Sequence, residues 1–272
     1  MAALSVLMSI YIKEKPEYVD ACFRSLLNQT ERADEWVIVE DGPLTEELYS
    51  LLSRYQTENP GLIKRVPLKN NQGLGLALRA GIPECKNELI ARMDTDDIAR
   101  TDRFEKQLEL FKQCQQLDIC GSNIDEFEDD PCNVVAKRSV PSRHEDIIKY
   151  QKQRDAFNHM TVMYKKQAVL SAGNYESCPL MEDTYLWARM ILNGAVCANI
   201  NESLVYARVG RDMFNRRGGW SYFKKYKEGK KRILQTGFIS TWDYLYTVSI
   251  QLIVALLPGS VRGYIFKKAL HK

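Results

Sequence analysis

Residues 88–98 read Glu88-Leu89-Ile90-Ala91-Arg92-Met93-Asp94-Thr95-Asp96-Asp97-Ile98, a hydrophobic run that ends in three carboxylates. This pattern predicts a buried strand whose carboxyl end carries Asp94, Asp96 and Asp97. Alternate strand residues share a face, so Asp94 and Asp96 point the same way if the strand pairing continues. Close like charges are costly without a cation. The cluster therefore either binds a metal or is spread out on a solvated loop.

The three carboxylates have the chemistry of a metal–phosphate site. Carboxylate oxygens are hard ligands that suit Mg²⁺ or Mn²⁺, and these metals usually carry substrate phosphates with them. The competing interpretation is structural, because acids in a turn also cap helices, and a helical pattern starts near Thr101. The acid cluster alone does not decide between the two, and the rest of the chain favours the metal.

Strand and helix patterns alternate through the first half of the chain. Strand patterns cover residues 4–11, 35–42, 62–66, 88–93 and 117–122, and helical patterns cover residues 16–27, 45–55, 75–81 and 103–116. This alternation predicts an α/β fold with a mostly parallel sheet wound by right-handed crossovers. Ligands bind at the carboxyl ends of the strands in such sheets, where Asp41 and residues 94–97 fall.

The alternation weakens after about residue 125. Residues 157–164 alternate like a strand, and residues 181–193 have the pattern of a helix. From Trp220 onward the chain has the pattern of helices rich in aromatic and basic residues. We therefore expect a C-terminal helical, amphipathic extension on the α/β fold.

Length and composition describe an ordinary globular protein. A chain of 272 residues can bury a full core, either as one large domain or as one domain with an appendage. The seven cysteines are scattered and odd in number, which favours reduced thiols over a disulfide framework or a zinc site. The N-terminus lacks a basic n-region and is typical of a buried first strand. The longest apolar stretch, residues 244–257, is short for a bilayer crossing.

Charge is unevenly distributed along the chain. Fourteen of the 38 Lys and Arg residues lie from Arg208 onward, but only three of the 35 Asp and Glu residues do. A basic tail interleaved with aromatic and aliphatic residues predicts an anionic partner, either membrane lipid or nucleic acid. The chain has no recognisable nucleic-acid motif, which favours the membrane. The competing interpretation of the tail is a soluble helical cap over the sheet.

Asp41 and Arg79 are candidate nucleotide contacts. Asp41 ends an apolar strand, where its carboxylate can accept hydrogen bonds from a nucleobase or a ribose hydroxyl, although an Asp before Gly also forms turns. Arg79 lies in a helix after the Gly-rich residues 70–75, and either faces the ligand or is solvated. This loop lacks the Gly-Lys-Ser/Thr of a P-loop.

The second half of the chain carries a candidate general base. Glu182 and Asp183 begin a helix, where acids either cap the helix or are held rigidly enough to deprotonate a sugar hydroxyl. His159 is a lone histidine, with a structural role or a minor role in the site. Arg216 and Arg217 precede two glycines, and they either close on a diphosphate or belong to a basic membrane face.

These motifs, in this order and spacing, resemble the family 2 glycosyltransferases, which are inverting enzymes with the GT-A fold. The resemblance is to the bacterial branch that builds exopolysaccharide, capsule and O-antigen, such as the amylovoran-type transferases. It covers roughly residues 4 to 220 and is carried by residues 5–11, 36–42, 71–78, 91–98, 158–159 and 181–187. Three positions depart from the family pattern, namely Ile12, Glu40 and Tyr185.

The resemblance implies a role for each matching residue. Asp41 would contact the uracil of a UDP-sugar, and Arg79 would lie in the nucleotide-sugar site. Asp94 and Asp96 would form the DxD pair, with Asp96 nearest a Mn²⁺ or Mg²⁺ ion and Asp94 near the ribose or the metal. Asp97 would lie toward the donor sugar or acceptor, and Asp183 would be the catalytic base. Glu182 and His159 would support the base or bind the acceptor. Arg216 and Arg217 would lie near the diphosphate.

The resemblance also implies a function for the whole chain. We expect the transfer of a hexose or N-acetylhexosamine from a UDP-sugar to a saccharide on undecaprenyl diphosphate, with a β-linkage formed, at the cytoplasmic face of the inner membrane. Residues 1–125 would bind the nucleotide sugar, residues 126–219 would supply the acceptor site and base of the same GT-A domain, and residues 220–272 would associate with the membrane. The alternatives are a nucleotidyltransferase acting on a sugar phosphate and a degenerate sugar-nucleotide-binding protein.

Overall fold

A nine-stranded sheet forms the centre of the molecule in the computed structural model, which describes residues 2–210 and 218–257. Its strands are β1 (Ala2–Ile10), β2 (Ala33–Glu40), β3 (Ile63–Pro67), β4 (Leu89–Arg92), β5 (Ile98–Ala99), β6 (Leu117–Phe127), β7 (Val134–Arg138), β8 (Met163–Lys165) and β9 (Val196–Arg208). They are ordered β3-β2-β1-β4-β8-β6-β9-β5, and β7 pairs with β6.

Helices cover both faces of this sheet. They are α1 (Pro16–Leu27), α2 (Glu46–Glu58), α3 (Leu74–Glu84), α4 (Arg103–Gln113), α5 (His144–Gln151), α6 (Lys166–Ser171), α7 (Glu182–Leu192), α8 (Gly219–Gln235) and α9 (Thr241–Leu256). The predicted fold class, a mostly parallel sheet flanked by helices with a C-terminal helical extension, is confirmed.

The first four strands in the sheet order, β3, β2, β1 and β4, are all parallel. In their register Ile10 lies opposite Glu40, and Leu7 lies opposite Arg92. The carboxyl ends of β1, β2 and β4 therefore meet at one edge of the sheet, as parallel pairing requires. The backbone N–H of Asp41 donates to Ile10 O (2.8 Å), which fixes Asp41 at this edge.

The second half of the chain completes the same sheet. The short strand β8 pairs antiparallel with both β4 and β6, and the long strands β6 and β9 pair parallel to each other. The sheet is therefore continuous across residue 125. The boundaries at residues 125 and 219 remain predictions.

Two hydrophobic clusters form the core, one on each face of the sheet. Side chains of α1, α2 and α4 belong to one cluster, and side chains of α3, α5, α6 and α7 belong to the other. Phe23 of α1 illustrates the packing, because its ring lies edge-on to Tyr55 (5.0 Å between centroids) and 5.3 Å from Trp36. Apolar residues three and four apart on α1 produce this buried stripe.

The strand predicted over residues 157–164 is wrong in its first part. Residues His159–Thr161 form a 3₁₀ turn, and the strand β8 covers only Met163–Lys165. The Thr161 hydroxyl donates to Asn158 O (2.8 Å), and the Asn158 amide donates to Ser122 O (2.8 Å). The Thr161 side chain thus bonds the local backbone, and the Asn158 side chain bonds the backbone of β6, so both favour a turn over a strand ladder.

Helix α8 packs on α7, and α9 packs on α8. A third cluster contains Ile233 of α8 and the linker residues Phe238 and Ile239, together with residues of the segment before α7 and of α7 itself. Ser240 caps α9 through a reciprocal bond with Asp243. Within residues 2–210 and 218–257, no helix combines the length and the apolarity that a bilayer crossing requires.

Candidate active site

The acid cluster turns sharply at the end of β4. Asp97 N–H donates to Asp94 O (3.4 Å), so the chain reverses within four residues. Asp94 and Asp96 are half-buried, whereas Asp97 is buried and accepts a hydrogen bond from the backbone N–H of Arg208 (2.7 Å). Asp94 and Asp96 therefore keep exposed surface at the edge, while Asp97 is tied to the end of β9.

Arg92 is the central cation of this edge. Its two terminal nitrogens donate to the two carboxylate oxygens of Asp94, each at 2.5 Å, and its side chain is 1 % exposed. Sequence reasoning did not identify this residue. The available signal was an arginine inside an apolar strand, because arginine is almost never fully buried unless it is paired.

The charge of Arg92 acts on carboxyls from distant parts of the chain. It lowers the pKa of Asp96 and Asp97 at the end of β4, and of Glu182 and Asp183 at the start of α7. The charge of Asp94 in turn raises the pKa of Glu182. The acids at the start of α7 and those at the end of β4 are therefore near enough to Arg92 to respond to the same charge.

Burial and mutual repulsion raise the pKa of the acids in the cluster. The pKa of Asp96 rises to about 6, first through burial and then through the charge of Asp94. Burial also raises the pKa of Asp97 well above its usual range. Glu14, in the loop after β1, has a pKa of about 7 because it is buried beside Asp96 and Asp94. Sequence reasoning missed Glu14, since nothing in the local pattern brings that loop to β4.

This concentration of negative charge fits a divalent cation. Within the described parts of the chain, no three His, Cys, Asp or Glu side chains converge as a complete metal site. Mg²⁺ and ions of similar chemistry usually bind through one or two carboxylates and complete their shell with water and substrate phosphates. Asp96 keeps exposed surface for such an ion, whereas both carboxylate oxygens of Asp94 already accept hydrogen bonds from Arg92. The assignment of Asp96 and Asp94 as metal ligands remains a prediction.

Asp41 organises the loop that leads into α3. Its carboxylate accepts the backbone N–H groups of Gln72 (2.6 Å) and Gly73 (2.9 Å), and its carbonyl accepts the Asn71 amide (3.2 Å). This arrangement holds the start of α3 against the end of β2. The contact of Asp41 with a nucleobase remains a prediction.

Arg79 connects α3 with the segment before α7. Its guanidinium donates to the backbone carbonyls of Gly173 (3.1 Å) and Tyr175 (2.7 Å). These bonds give Arg79 a structural role that the sequence did not indicate, and its place in a nucleotide site remains a prediction. At the start of α3, a Cβ on Gly75 would lie 2.8 Å from Glu182 Cβ. The first turns of α3 and α7 are therefore in direct contact.

Asp183 is the most perturbed carboxyl at the start of α7. Its Oδ1 accepts the backbone N–H of Thr184 (2.7 Å), and its side chain is only 20 % exposed. Burial, followed by the charges of Asp155 and Glu182, raises its pKa to about 7. Burial also raises the pKa of Glu182. A carboxyl with a pKa near neutrality is suited to accept a proton at physiological pH.

His159 lies beside Asp183. Its Nδ1 is 3.9 Å from Asp183 Oδ2, and its Nε2 is 2.9 Å from the Tyr175 hydroxyl. Burial, together with the nearby charge of Arg92, lowers the pKa of His159 well below its usual range. The imidazole is therefore neutral near pH 7, and it lies beside the Asp183 carboxyl without adding a charge.

Arg208, at the end of β9, is a second cation that sequence reasoning did not assign to the site. Its Nε donates to Asp96 O (3.1 Å), and its guanidinium lies 3.9 Å from the centroid of the Tyr18 ring. Its charge lowers the pKa of Asp96. The two arginines predicted near a diphosphate, Arg216 and Arg217, lie outside the described residues.

Solved structures share this fold. The mannosyltransferase PcManGT from Pyrobaculum calidifontis, in complex with GDP-Man and Mn²⁺, superposes with a TM-score of 0.64 at 13% identity, over 99% of this chain and 81% of that chain. The architecture is therefore the GT-A glycosyltransferase fold, and this fold defines the class of protein.

Sequence comparison identifies the family within this class. The family model for glycosyl transferase family 2 matches residues 5–173. The amylovoran biosynthesis glycosyltransferase AmsE of Erwinia amylovora is 38% identical over 97% of this chain and 98% of its own length. An Escherichia coli protein named UDP-Gal:alpha-D-GlcNAc-diphosphoundecaprenol beta-1,3-galactosyltransferase is 36% identical over 98% of this chain and 96% of its own length. The chain belongs to glycosyl transferase family 2, and it is a glycosyltransferase.

The central position of Arg92 predicts a pH-dependent loss of stability on its removal. Arg92→Met leaves several buried carboxyls without a compensating cation, and we expect the free energy of unfolding to fall by about 3–5 kcal/mol at pH 8. The loss should be smaller at pH 5, because carboxyls with raised pKa values, such as Asp96 and Asp183, are then protonated. Urea unfolding at both pH values measures this difference.

Arg32→Met is the matched control, since Arg32 is exposed. It should change the free energy of unfolding by less than about 0.5 kcal/mol at either pH. An equal loss of stability for Arg92→Met at pH 5 and pH 8 would contradict the proposed charge balance.

Proposed function

We propose that this glycosyltransferase moves a hexose or N-acetylhexosamine from a UDP-sugar to a saccharide on undecaprenyl diphosphate, inverting the anomeric centre to form a β-linkage. The product would belong to a bacterial surface polysaccharide. The observation that supports this proposal is the carboxyl of Asp183, whose pKa burial raises to about 7, near the charge of Arg92, the arginine that pairs with Asp94 of the acid cluster. An inverting transferase needs exactly this kind of pairing, a nucleotide-diphosphate site opposite one general base.

The names of the relatives support the donor and the acceptor. The Escherichia coli relative is named for UDP-Gal and for a diphosphoundecaprenol-linked GlcNAc, and it aligns with 98% of this chain. AmsE is named for the biosynthesis of amylovoran. A panel of UDP-sugars should therefore begin with UDP-galactose, and the first acceptor tested should be GlcNAc-diphosphoundecaprenol.

The donor site that we propose lies at the edge formed by β1, β2 and β4. Asp41 and Arg79 would lie on the nucleotide side, in addition to the backbone contacts that they make. Asp96 and Asp94 would hold Mn²⁺ or Mg²⁺, while Asp97 would lie toward the sugar. The bound ion supplies positive charge that compensates the leaving diphosphate.

Asp96→Asn tests the cation directly through binding. We expect the wild-type protein to bind UDP at least tenfold more tightly with Mn²⁺ than with EDTA, which corresponds to about 1.4 kcal/mol. This difference should vanish in Asp96→Asn, because the amide is a weaker and uncharged ligand. Isothermal calorimetry measures both affinities, and Asp146→Asn, which changes an exposed acid on α5, is the control. UDP binding that ignores Mn²⁺ in the wild type would refute the metal site.

Asp183 is the proposed catalytic base. Its carboxylate would remove the proton from the acceptor hydroxyl as that oxygen attacks the anomeric carbon from the face opposite the leaving UDP. A single displacement of this kind converts an α-linked donor into a β-linked product. Glu182 and His159 would line the acceptor side, with the neutral imidazole leaving the basicity of Asp183 intact.

Asp183→Asn should reduce kcat by about 10² to 10⁴, the range that general bases contribute, while UDP affinity changes little. The base must be ionised to act, so kcat/KM of the wild type should fall about tenfold per unit as pH drops below about 7. Product formation from radiolabelled UDP-sugar, together with UDP calorimetry, separates the two effects. Near-full activity of Asp183→Asn would remove Asp183 from the role of base.

We further propose that α9 lies on an anionic bilayer surface. Large apolar side chains on one face of α9 are exposed to solvent, most of all Trp242 (81 %), Leu256 (71 %) and Ile253 (61 %). A contiguous exposed apolar face of this kind marks an interaction site. The chain also carries exposed lysines on α8 and basic residues in the sequence after residue 257, which suits anionic lipid. A lipid-linked acceptor would then lie in the same membrane.

Point substitutions test this surface better than truncation, because Phe238 and Ile239 are buried core residues. We expect the double variant Trp242→Ser/Ile253→Ser to bind phosphatidylglycerol vesicles at least tenfold more weakly, since each side chain gains about 1.5–3 kcal/mol on full burial. Co-sedimentation measures binding, and high salt should also weaken it.

The control for this experiment is Val134→Ser/Val135→Ser, which removes two exposed apolar residues of β7. It should sediment with vesicles as the wild type does. A wild-type protein that does not bind these vesicles, or an α9 variant that binds undiminished, would show that the apolar face serves a different partner.

A further inference from the structure

Tyr175 is a buried tyrosine that hydrogen bonds hold at its backbone and at its side chain. Its backbone N–H donates to Asn174 Oδ1 (2.7 Å), and its carbonyl accepts the Arg79 guanidinium (2.7 Å). The Asn174 amide in turn donates to Arg79 O (3.0 Å), which binds this backbone to α3. The side chain has no exposed surface, and its hydroxyl lies 2.9 Å from His159 Nε2. These bonds hold the hydroxyl against the imidazole that borders the proposed base.

The segment between this tyrosine and the proposed base is also held, by α8, the first of the pair of C-terminal helices. A Cβ on Gly229 of α8 would lie 2.8 Å from Pro179 O, so this face of the helix has no room for a side chain. The Arg232 guanidinium donates to Ser177 O. The helix therefore fixes the course of residues 177–181.

The contacts of His159 determine which of its nitrogens faces Asp183. The Trp187 ring lies edge-on to the imidazole, with 6.0 Å between centroids, and the Tyr175 ring lies 5.7 Å away. Nδ1 is the nitrogen on the side of the base, 3.9 Å from Asp183 Oδ2. A flip of the imidazole would place a carbon at the Tyr175 hydroxyl and lose the hydrogen bond to Nε2.

The direction of the bond between Tyr175 and His159 determines where the imidazole carries its proton. Burial keeps His159 neutral, and a neutral imidazole has one N–H and one acceptor nitrogen. The Tyr164 hydroxyl, which borders Tyr175, is buried without a hydrogen-bond partner within residues 2–210 and 218–257. If Nε2 donated, a hydroxyl hydrogen of Tyr175 or Tyr164 would lack an acceptor, which is costly for a buried group. Tyr175 therefore donates to Nε2, and the imidazole proton is on Nδ1.

We propose that Tyr175 is a positioning residue for the transfer reaction, because its hydroxyl holds the proton of His159 on Nδ1, the nitrogen that faces Asp183. The inference rests on the proposed role of Asp183 as the base. Hydrogen bonds at catalytic groups are often long in free enzymes and shorten when substrate binds. A small movement therefore brings the Nδ1–H group, now 3.9 Å away, into contact with the Asp183 carboxylate. Tyr175 itself touches neither donor nor acceptor.

The tautomer of His159 affects how readily Asp183 acts as a base. A neutral N–H group directed at a carboxylate favours the ionised form, which is the form that removes a proton. The opposite tautomer would accept a hydrogen bond from the protonated carboxyl and would favour that inactive form. By excluding the opposite tautomer, Tyr175 extends the activity of the base toward lower pH.

Several charged and titratable groups surround Asp183, and each belongs to an element packed near the start of α7. They are Glu182 of α7, Asp155, His159 of the 3₁₀ turn, Arg92 of β4, and Tyr175 and Cys178 of the preceding segment. Burial raises the pKa of Tyr175 well above its usual range, so its phenol is neutral near pH 7. Tyr175→Phe therefore removes no charge from this set, and a shifted pH profile reports the lost hydrogen bond.

The tautomer is measured directly by ¹⁵N NMR of the histidine side chains at pH 8, in the full-length wild-type protein. We expect a proton on Nδ1 of His159 and none on Nε2. His144 is an internal control with the opposite tautomer, because its Nδ1 accepts the backbone N–H of Cys197 (3.1 Å). The variant His159→Asn identifies the His159 signals. A proton on Nε2 of His159 would overturn the inference, whatever the activity.

Tyr175→Phe deletes one hydroxyl and leaves the ring in place. We expect both tautomers of His159 in its NMR spectrum, and the acidic limb of kcat/KM for the acceptor should move to higher pH by about half a unit. This shift corresponds to about a threefold loss of kcat/KM below the limb, and donor KM should change little. Circular dichroism verifies folding.

Tyr55→Phe is the matched control for this deletion. It removes a hydroxyl from another buried ring, which bonds Asp20 Oδ1 (2.9 Å) and belongs to the core cluster on the other face of the sheet. Its acidic limb should coincide with that of the wild type.

Two variants of His159 test whether Tyr175 acts through the imidazole. An asparagine amide replaces the Nδ1–H group, so the limb of His159→Asn should stay near that of the wild type, whereas His159→Leu should move it to higher pH. Adding Tyr175→Phe to His159→Asn should move the limb no further, because no tautomer is left to hold. An equal shift in both backgrounds would overturn the inference. If Tyr175→Phe does not fold, the wild-type NMR spectrum and the His159 variants carry the test.

The outcomes separate this inference from the proposed function. If Asp183→Asn is inactive while the limbs of Tyr175→Phe and Tyr55→Phe coincide, the positioning role is overturned and the base survives. If Asp183→Asn stays active, the proposed base fails, and the positioning role fails with it, whichever tautomer the NMR spectrum shows. Reduced activity of Tyr175→Phe with an unmoved limb would indicate packing alone and would also overturn the inference.

Discussion

The acid cluster depends on the ion pair between buried Arg92 and half-buried Asp94. A guanidinium that is 1 % exposed is costly unless carboxylates compensate its charge, and here Asp94 does so with two parallel hydrogen bonds. The remaining charge of Arg92 favours ionised carboxyls around it. This requirement links the end of β4 with the first turn of α7, two elements that are far apart in the sequence.

The proposed metal ligand Asp96 and the proposed base Asp183 are both aspartates, but their surroundings differ. Asp96 lies among other acids, and its charge repulsion makes a cation favourable there. Asp183 lies near a neutral imidazole, where a proton is the natural partner. Environments that separate the roles of chemically identical groups are a general feature of acid–base catalysis. The carboxylate of Asp41, in contrast, accepts hydrogen bonds from the backbone N–H groups of Gln72 and Gly73.

Sequence patterns predicted the parts of this structure that depend on local periodicity. The apolar run before Asp94 predicted both the strand and the edge at which its acids lie, because strand burial and parallel pairing follow from neighbouring residues. The sequence did not indicate the positions of Arg92, Glu14 and Arg208, because these depend on contacts between segments that no local pattern relates. The turn at His159–Thr161 was not predicted for a related reason. The Asn158 side chain before it donates to Ser122 O, which belongs to a distant segment of the chain.

The close approach of Gly229 to Pro179 has a consequence for protein engineering. Domain grafting between members of this family would naturally exchange everything after β9, in order to transplant acceptor preference or lipid preference. In such a chimaera, helix α8 of one parent would meet residues 177–181 of the other parent. The two surfaces would then not be matched in shape. A functional chimaera should therefore inherit the helical pair and this segment from the same parent, even though α7 and β9 separate them in the chain.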